Sequence, residues 1–150
     1  MRKYRKDNHH TMSIIPEHFL DILQSPALAH VATIGPKGEP QSSAIWFGWD
    51  GTHIFFTLKK ERQKYRNLLR EPRMALSIVD PTNPYRSIEI RGIVAHMNDD
   101  LNYHFANWLS QKYLNRDATP EEAGPAEERV GIFIEPKHVV LFPPSQEDKK

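Results

Sequence analysis

Apolar residues alternate with polar ones in short runs along most of the chain, and turn-forming residues separate the runs. Leu28 to Ile34 alternates and is partly β-branched, which suits a half-buried strand. Gly35-Pro36-Lys37-Gly38-Glu39-Pro40 is a turn, dense in Gly and Pro. Gln41 to Trp49 reads as a second strand, and Asp50-Gly51 as a hairpin turn into a third, His53 to Thr57. Met74 to Val79, Arg86 to Met97, Val130 to Ile134 and Val139 to Phe142 complete a set of seven, the last two joined by Glu135-Pro136-Lys137-His138. Strands one to three are expected to form a meander. Gly92 interrupts the fifth strand and marks a bulge or a close backbone approach.

Helical spacing is confined to four places. Near Ser13 to Pro16 a helix should start, with Phe19, Ile22 and Leu23 as its buried stripe. After Thr57 a short basic helix follows, with Tyr65, Leu68 and Leu69 on its apolar face, and Glu71-Pro72 stops it. Asn98-Asp99 should cap a helix reaching about Leu114, striped by Leu101, Phe105, Trp108 and Leu109. Thr119-Pro120-Glu121-Glu122 has the pattern of a capping box with proline at the first helical position. Seven strands and few helices imply a mainly β fold. An antiparallel β-barrel of Greek-key type with flanking helices would leave no exposed sheet edge.

The chain has 150 residues, 39% of them hydrophobic, which fits one domain with one core. Residues 13–143 should form that domain, with polar tails at 1–12 and 144–150. There is no cysteine, so disulfides, thiolate metal sites and a cysteine nucleophile are excluded, and a cytoplasmic location is expected. No apolar run has the length of a membrane span, and the N-terminus lacks an apolar signal core. A net charge of +1 gives a nucleic-acid partner no bulk attraction. His9-His10 is a poor metal site without further ligands, and the other histidines are scattered, without His-Glu-x-x-His spacing, so no metal site is expected; Walker, Gly-x-Gly-x-x-Gly and Gly-x-Ser-x-Gly patterns are also missing.

What stands out is the cluster Lys59, Lys60, Arg62, Lys64, Arg66 and Arg70, which is either a solvated helix face or an anion site. Arg62 and Lys64 fall in the first turn of the basic helix, where the helix dipole disfavours cations unless an anion is bound. Free N–H groups at a helix start, with cations beside them, make a phosphate site. Trp46 could be core or could flank a planar ring, and Ser42 and Ser43 could be ordinary strand residues or donors to such a ring.

Gly38-Glu-Pro-Gln-Ser-Ser-Ala-Ile-Trp-Phe47, Asp50-Gly51, Phe56-Thr57, Arg62-Gln-Lys-Tyr-Arg-Asn-Leu68 and Arg91-Gly92 together resemble the pyridoxamine 5′-phosphate oxidase-like split-barrel flavoproteins. Within them, the sequence looks like the small deazaflavin-dependent oxidoreductases that use coenzyme F-420. The resemblance covers about Phe19 to Phe142. It implies an FMN-binding-type split β-barrel, a homodimer with cofactor sites at its interface, and hydride transfer between coenzyme F-420 or FMN and a small-molecule substrate. By this resemblance Arg62 and Lys64 grip the cofactor phosphate, with Asn67 assisting. Thr57 meets the ring edge or ribityl chain, and Gln41, Ser43 and Trp46 line the ring face. Tyr85 and Arg86 reach the partner's site. No catalytic residue is singled out. Gln41-Ser-Ser-Ala-Ile-Trp46 stands where the pyridoxamine phosphate oxidases have a strand with two cations, and their longer C-terminal segment is missing. Both departures point away from vitamin B6 oxidation. The alternatives are an FMN flavoprotein, or a non-enzymatic split barrel binding a cofactor, haem or a tetrapyrrole.

Overall fold

The computed structural model describes residues 14–144. The tails expected at 1–12 and 144–150 lie outside them, Pro144 apart. Seven strands form one antiparallel sheet: β1 (Ala29–Ile34), β2 (Pro40–Ile45), β3 (Gly48–Trp49), β4 (Ile54–Lys59), β5 (Arg73–Val79), β6 (Ser87–Asp99) and β7 (Arg129–Phe142). Four α-helices flank it: α1 (Leu20–Gln24), α2 (Gln63–Arg70), α3 (His104–Leu114) and α4 (Pro120–Ala123). None is long and apolar enough to cross a membrane.

The strand order is β2-β1-β5-β6-β7-β4-β3. The expected meander is therefore incorrect. Gln41 to Trp49 is two strands, β2 paired with β1 and β3 paired with β4. They are consecutive in sequence yet lie on opposite edges of the sheet. Only Trp46 and Phe47 separate them, and so short a span reaches no more than about 10 Å. The sheet must curl until its edges are close, although no backbone ladder joins them among the described residues. This is a split barrel.

Alternation puts one face of each strand inside. Ile54, Phe56 and Leu58 stand opposite Ile134, Ile132 and Val130, and Leu76 and Ile78 stand opposite Ile90 and Ile88. These join Ala29, Val31, Phe19, Ile22, Leu23 and Phe47 in one buried cluster. Phe55 and Phe133 take the other face of the sheet and pack with Leu109 under α3. Gly92 does sit at a bulge: β7 gains one residue there, and Gly92 pairs with Pro136. The missing N–H of Pro136 thus falls where the ladder is already interrupted, so the two expected C-terminal strands are one.

Two helix starts differ from expectation. Pro16 precedes a 3-10 turn, Glu17–Phe19, that runs into α1; its stripe of Phe19, Ile22 and Leu23 is buried as expected. α3 begins five residues after Asp99, because Asp100 rather than Asn98 or Asp99 supplies its acceptors. Asp100 is buried and accepts from the N–H groups of Phe105 and Ala106, each at 2.9 Å. Leu101 therefore precedes the helix and is exposed, as is Trp108; Ala106, Leu109 and Ser110 are the buried positions. The capping box at Thr119 and Glu122 is formed.

Candidate functional site

The crossover between β2 and β3 is the wall on which the site is built. Phe47 is buried and Trp46 is partly exposed. The last turn of α3 pins the backbone between them. The Tyr113 hydroxyl donates to Ala27 O at 2.6 Å and accepts from Phe47 N–H at 3.2 Å. Lys112 Nζ donates to Phe47 O at 2.7 Å and Leu23 O at 3.1 Å, and lies 3.9 Å from the Phe47 ring centroid. The Trp46 and Tyr113 rings stack with centroids 4.9 Å apart and planes 5° from parallel. Trp46 is thereby held flat and presented outward.

Across from this wall stands the start of α2. β4 ends at Lys59, and Arg62 is the N-cap, in extended conformation. No side chain caps the helix, and its first turn holds no acid. Such a start leaves N–H groups free for an anion. Lys64 is half-buried and donates to Ser43 Oγ at 2.7 Å. Burial, with Arg62 beside it, pushes the Lys64 ammonium below the usual lysine range. Neither Arg62 nor Lys64 has an ion-pair partner among the described residues. Three other members of the basic cluster are engaged elsewhere. Lys60 pairs with Asp99 at 2.9 Å, Arg66 bonds Glu61 O and Gln63, and Arg70 bonds Ile34 O.

Arg62 and Lys64 line two adjoining cavities. One, of about 490 Å³, is also lined by Trp46, Thr57, Lys59 and Arg129. The other, of about 280 Å³, is also lined by Thr33, Gln41 and Ser43. Six of the nine residues expected at a cofactor site, Gln41, Ser43, Trp46, Thr57, Arg62 and Lys64, thus share one connected surface. Asn67 does not line it. Fully buried, it donates to Thr33 Oγ1 at 3.0 Å and Gln41 Oε1 at 2.8 Å, and accepts from Gln63 at 2.8 Å. Asn67 takes the inward slot beside Leu68, while Leu69, expected on the apolar face, is exposed. Tyr85 and Arg86 line neither cavity. Tyr85 is exposed on the loop. Arg86 bonds Asp21, Asp80 and His18 O and stacks on Phe19 at 4.6 Å. Its guanidinium holds the Asp21 carboxyl below the usual aspartate range, and the Thr82 N–H, with Arg86, does the same for Asp80.

Arg129, at the start of β7, is the site residue the sequence concealed. Its guanidinium donates to Thr57 Oγ1 at 2.6 Å and to Ala123 O at 3.1 Å. An arginine opening a strand is unremarkable in sequence; only the pairing of β7 with β4 brings it here.

Cations without ion pairs at an uncapped helix start, facing a flat aromatic wall, suit an anion attached to a planar group. Residues 15–141 match the family model for pyridoxamine 5′-phosphate oxidase, and the chain belongs to that split-barrel family. Among solved structures it is similar to an F420 reductase, with 38% identity and a TM-score of 0.77 over 84% of this chain and 98% of that one. A conserved hypothetical protein, Rv2991 from Mycobacterium tuberculosis, shares the fold at 23% identity and a TM-score of 0.71, over 87% of this chain and 86% of that one. So does a protein described as a putative 5-nitroimidazole antibiotic resistance protein, from Bacteroides thetaiotaomicron, at 12% identity and a TM-score of 0.67, over 86% of this chain and 84% of that one. No curated protein matches the chain.

Proposed function

We propose that this chain is an oxidoreductase moving a hydride between coenzyme F-420, a deazaflavin, or FMN and a small-molecule substrate, working as a homodimer. One observation carries the reading: Lys64 is desolvated beside Arg62, both lack an ion pair, and both face the cavities at the uncapped start of α2. Two cations so placed need an anion, and the cofactor phosphate supplies it. Similarity to the F420 reductase supports the deazaflavin over FMN.

The residues present fit such a group. Arg62, Lys64 and the first N–H groups of α2 would hold its phosphate. Ser43, bonded to Lys64, sets the ammonium's direction, and Gln41 is fixed from behind by Asn67. Trp46, backed by Tyr113, offers a flat apolar face to a ring and keeps water from it. Thr57, oriented by Arg129, contributes a hydroxyl at the same wall. The bound group supplies the hydride chemistry itself.

Titration of the purified chain with coenzyme F-420 and with FMN, in parallel and followed by fluorescence, tests this. Hydrogen bonds to charged groups contribute about 1.5–3 kcal/mol, so Lys64→Ala should weaken the preferred ligand by about 10- to 100-fold. Unchanged affinity in that variant, or binding of neither ligand by the native chain, overturns the reading.

A further inference from the structure

Among the described residues, two buried side-chain polar atoms have no hydrogen-bond partner: Ser110 Oγ and Arg129 Nε. Buried polar groups in folded proteins are paired with few exceptions, so an orphan asks for a cause. These two come from different elements, α3 and β7, yet both residues line one cavity of about 260 Å³. Both orphan atoms are themselves closed off from solvent, but the residues that carry them stand on one wall.

The arginine is under-used in a second sense. Its contacts to Thr57 and Ala123 employ two donors, and a guanidinium offers about five. No ion pair among the described residues includes it. Burial disfavours its charge, against the attraction of Asp100 and Tyr103. One carboxylate does stand on the cavity wall, that of Glu122, but it is committed elsewhere. Its oxygens accept from Arg116 at 2.8 and 3.1 Å and from Thr119 N–H at 3.0 Å. The remaining wall is mostly apolar, with Trp46, Ala106, Leu109, Leu114 and Ala118.

This cavity adjoins the 490 Å³ one. Trp46, Thr57, Leu109, Glu122 and Arg129 line both, whereas Arg62 and Lys64 line only the larger. A molecule in the smaller cavity would therefore sit on the side away from the phosphate-binding cations, next to the ring-facing wall.

We propose that the 260 Å³ cavity is a subsite for the carboxylate-bearing end of a small, otherwise apolar substrate, with the Arg129 guanidinium receiving the carboxylate. This deepens the oxidoreductase reading, and calling the ligand a substrate rests on that reading. A carboxylate supplies the direct ion pair that the guanidinium lacks. A neutral molecule of the same shape leaves the cation uncompensated in apolar surroundings and is rejected on that ground.

Benzoate and benzamide share a ring and a size and differ in charge, so they serve as probes. Their binding to the full chain is measured by calorimetry or ligand-detected NMR, with and without coenzyme F-420. Benzoate should bind at least about tenfold more tightly than benzamide, a charge-assisted bond being about twice as strong as a neutral one. Arg129→Gln should abolish the preference. Ala118→Leu, which fills the smaller cavity from a wall that the larger one does not share, should exclude both probes. Equal binding of the two probes overturns the proposal, as does a preference surviving in folded Arg129→Gln. Should Arg129→Gln fail to fold, undiminished benzoate binding in Ala118→Leu overturns it. Binding of coenzyme F-420 without discrimination between the probes removes the subsite and leaves the oxidoreductase reading. Discrimination without binding of coenzyme F-420 or FMN does the reverse.

Discussion

Replacing Asn67 by alanine tests whether the site is held up from behind. The amide makes three good hydrogen bonds, to Thr33, Gln41 and Gln63. Their loss is unequal. Gln63 is exposed and recovers its bond from water, and half-buried Gln41 recovers it in part. Thr33 is only 1% exposed and recovers nothing. A buried polar group left unpaired costs about 1–3 kcal/mol, and the vacated space adds to it. We expect Asn67→Ala to lose about 2–3 kcal/mol. At about 2–4 °C per kcal/mol for a chain of this size, Tm should fall by about 5–10 °C. Urea unfolding at equilibrium measures the loss directly, with an unchanged slope against denaturant. Thr33→Val supplies the cycle: in the Asn67→Ala background it removes the orphaned hydroxyl and should restore part of the loss. A loss below about 0.5 kcal/mol, or no recovery with Thr33→Val, would refute the argument that the buried amide supports this wall.

Other consequences are as concrete. Burial lowers Lys112 to about 8 while the unfolded chain keeps the ordinary value of about 10.4. Between those values the unfolded chain holds the proton that the folded one has released, so stability should rise as pH climbs from 8 toward 10. The half-buried setting and two carbonyl contacts reduce the gain to about 1–2 kcal/mol, and Lys112→Met should flatten it in urea melts at stepped pH. A Cβ on Gly92 would lie 2.7 Å from Glu135 O, a backbone atom unable to turn aside, so Gly92→Ala should cost about 1–3 kcal/mol by thermal unfolding. Arg86→Met should lower Tm while leaving cofactor affinity intact, because the guanidinium is spent on Asp21, Asp80 and His18 O. A fluorescence titration showing weakened binding in the folded variant would favour the role at the partner's site that the resemblance implies for Arg86.

How legible each part was depended on whether its signal is local. Asp50-Gly51, Glu71-Pro72 and Thr119 with Glu122 mark boundaries through their own geometry, and each lies where expected. The crossover at Trp46 and Phe47 left no mark, because nothing in a continuous apolar run says which neighbour each half will pair with. Pro136 misled for the opposite reason: a bulge supplied by Gly92, distant in sequence, neutralised a residue that should break a strand. The pair Arg62 and Lys64 showed in sequence because a helix start makes neighbouring cations anomalous. Arg129 and Ser110 are ordinary residues in their own elements and acquire meaning only by sharing a cavity.

The pairing of β4 with β7 also has a temporal side. β4 meets β3 across a short turn, but its other edge waits for β7, which begins at Arg129. During synthesis the hairpin carrying Ile54, Phe55 and Phe56 therefore emerges with one edge and two apolar faces unprotected while some seventy further residues are made. Such an edge is a template for pairing with other nascent chains. The basic stretch from Lys59 to Arg70 follows immediately after this hairpin. Charge flanking an apolar strand in this way opposes pairing between identical chains.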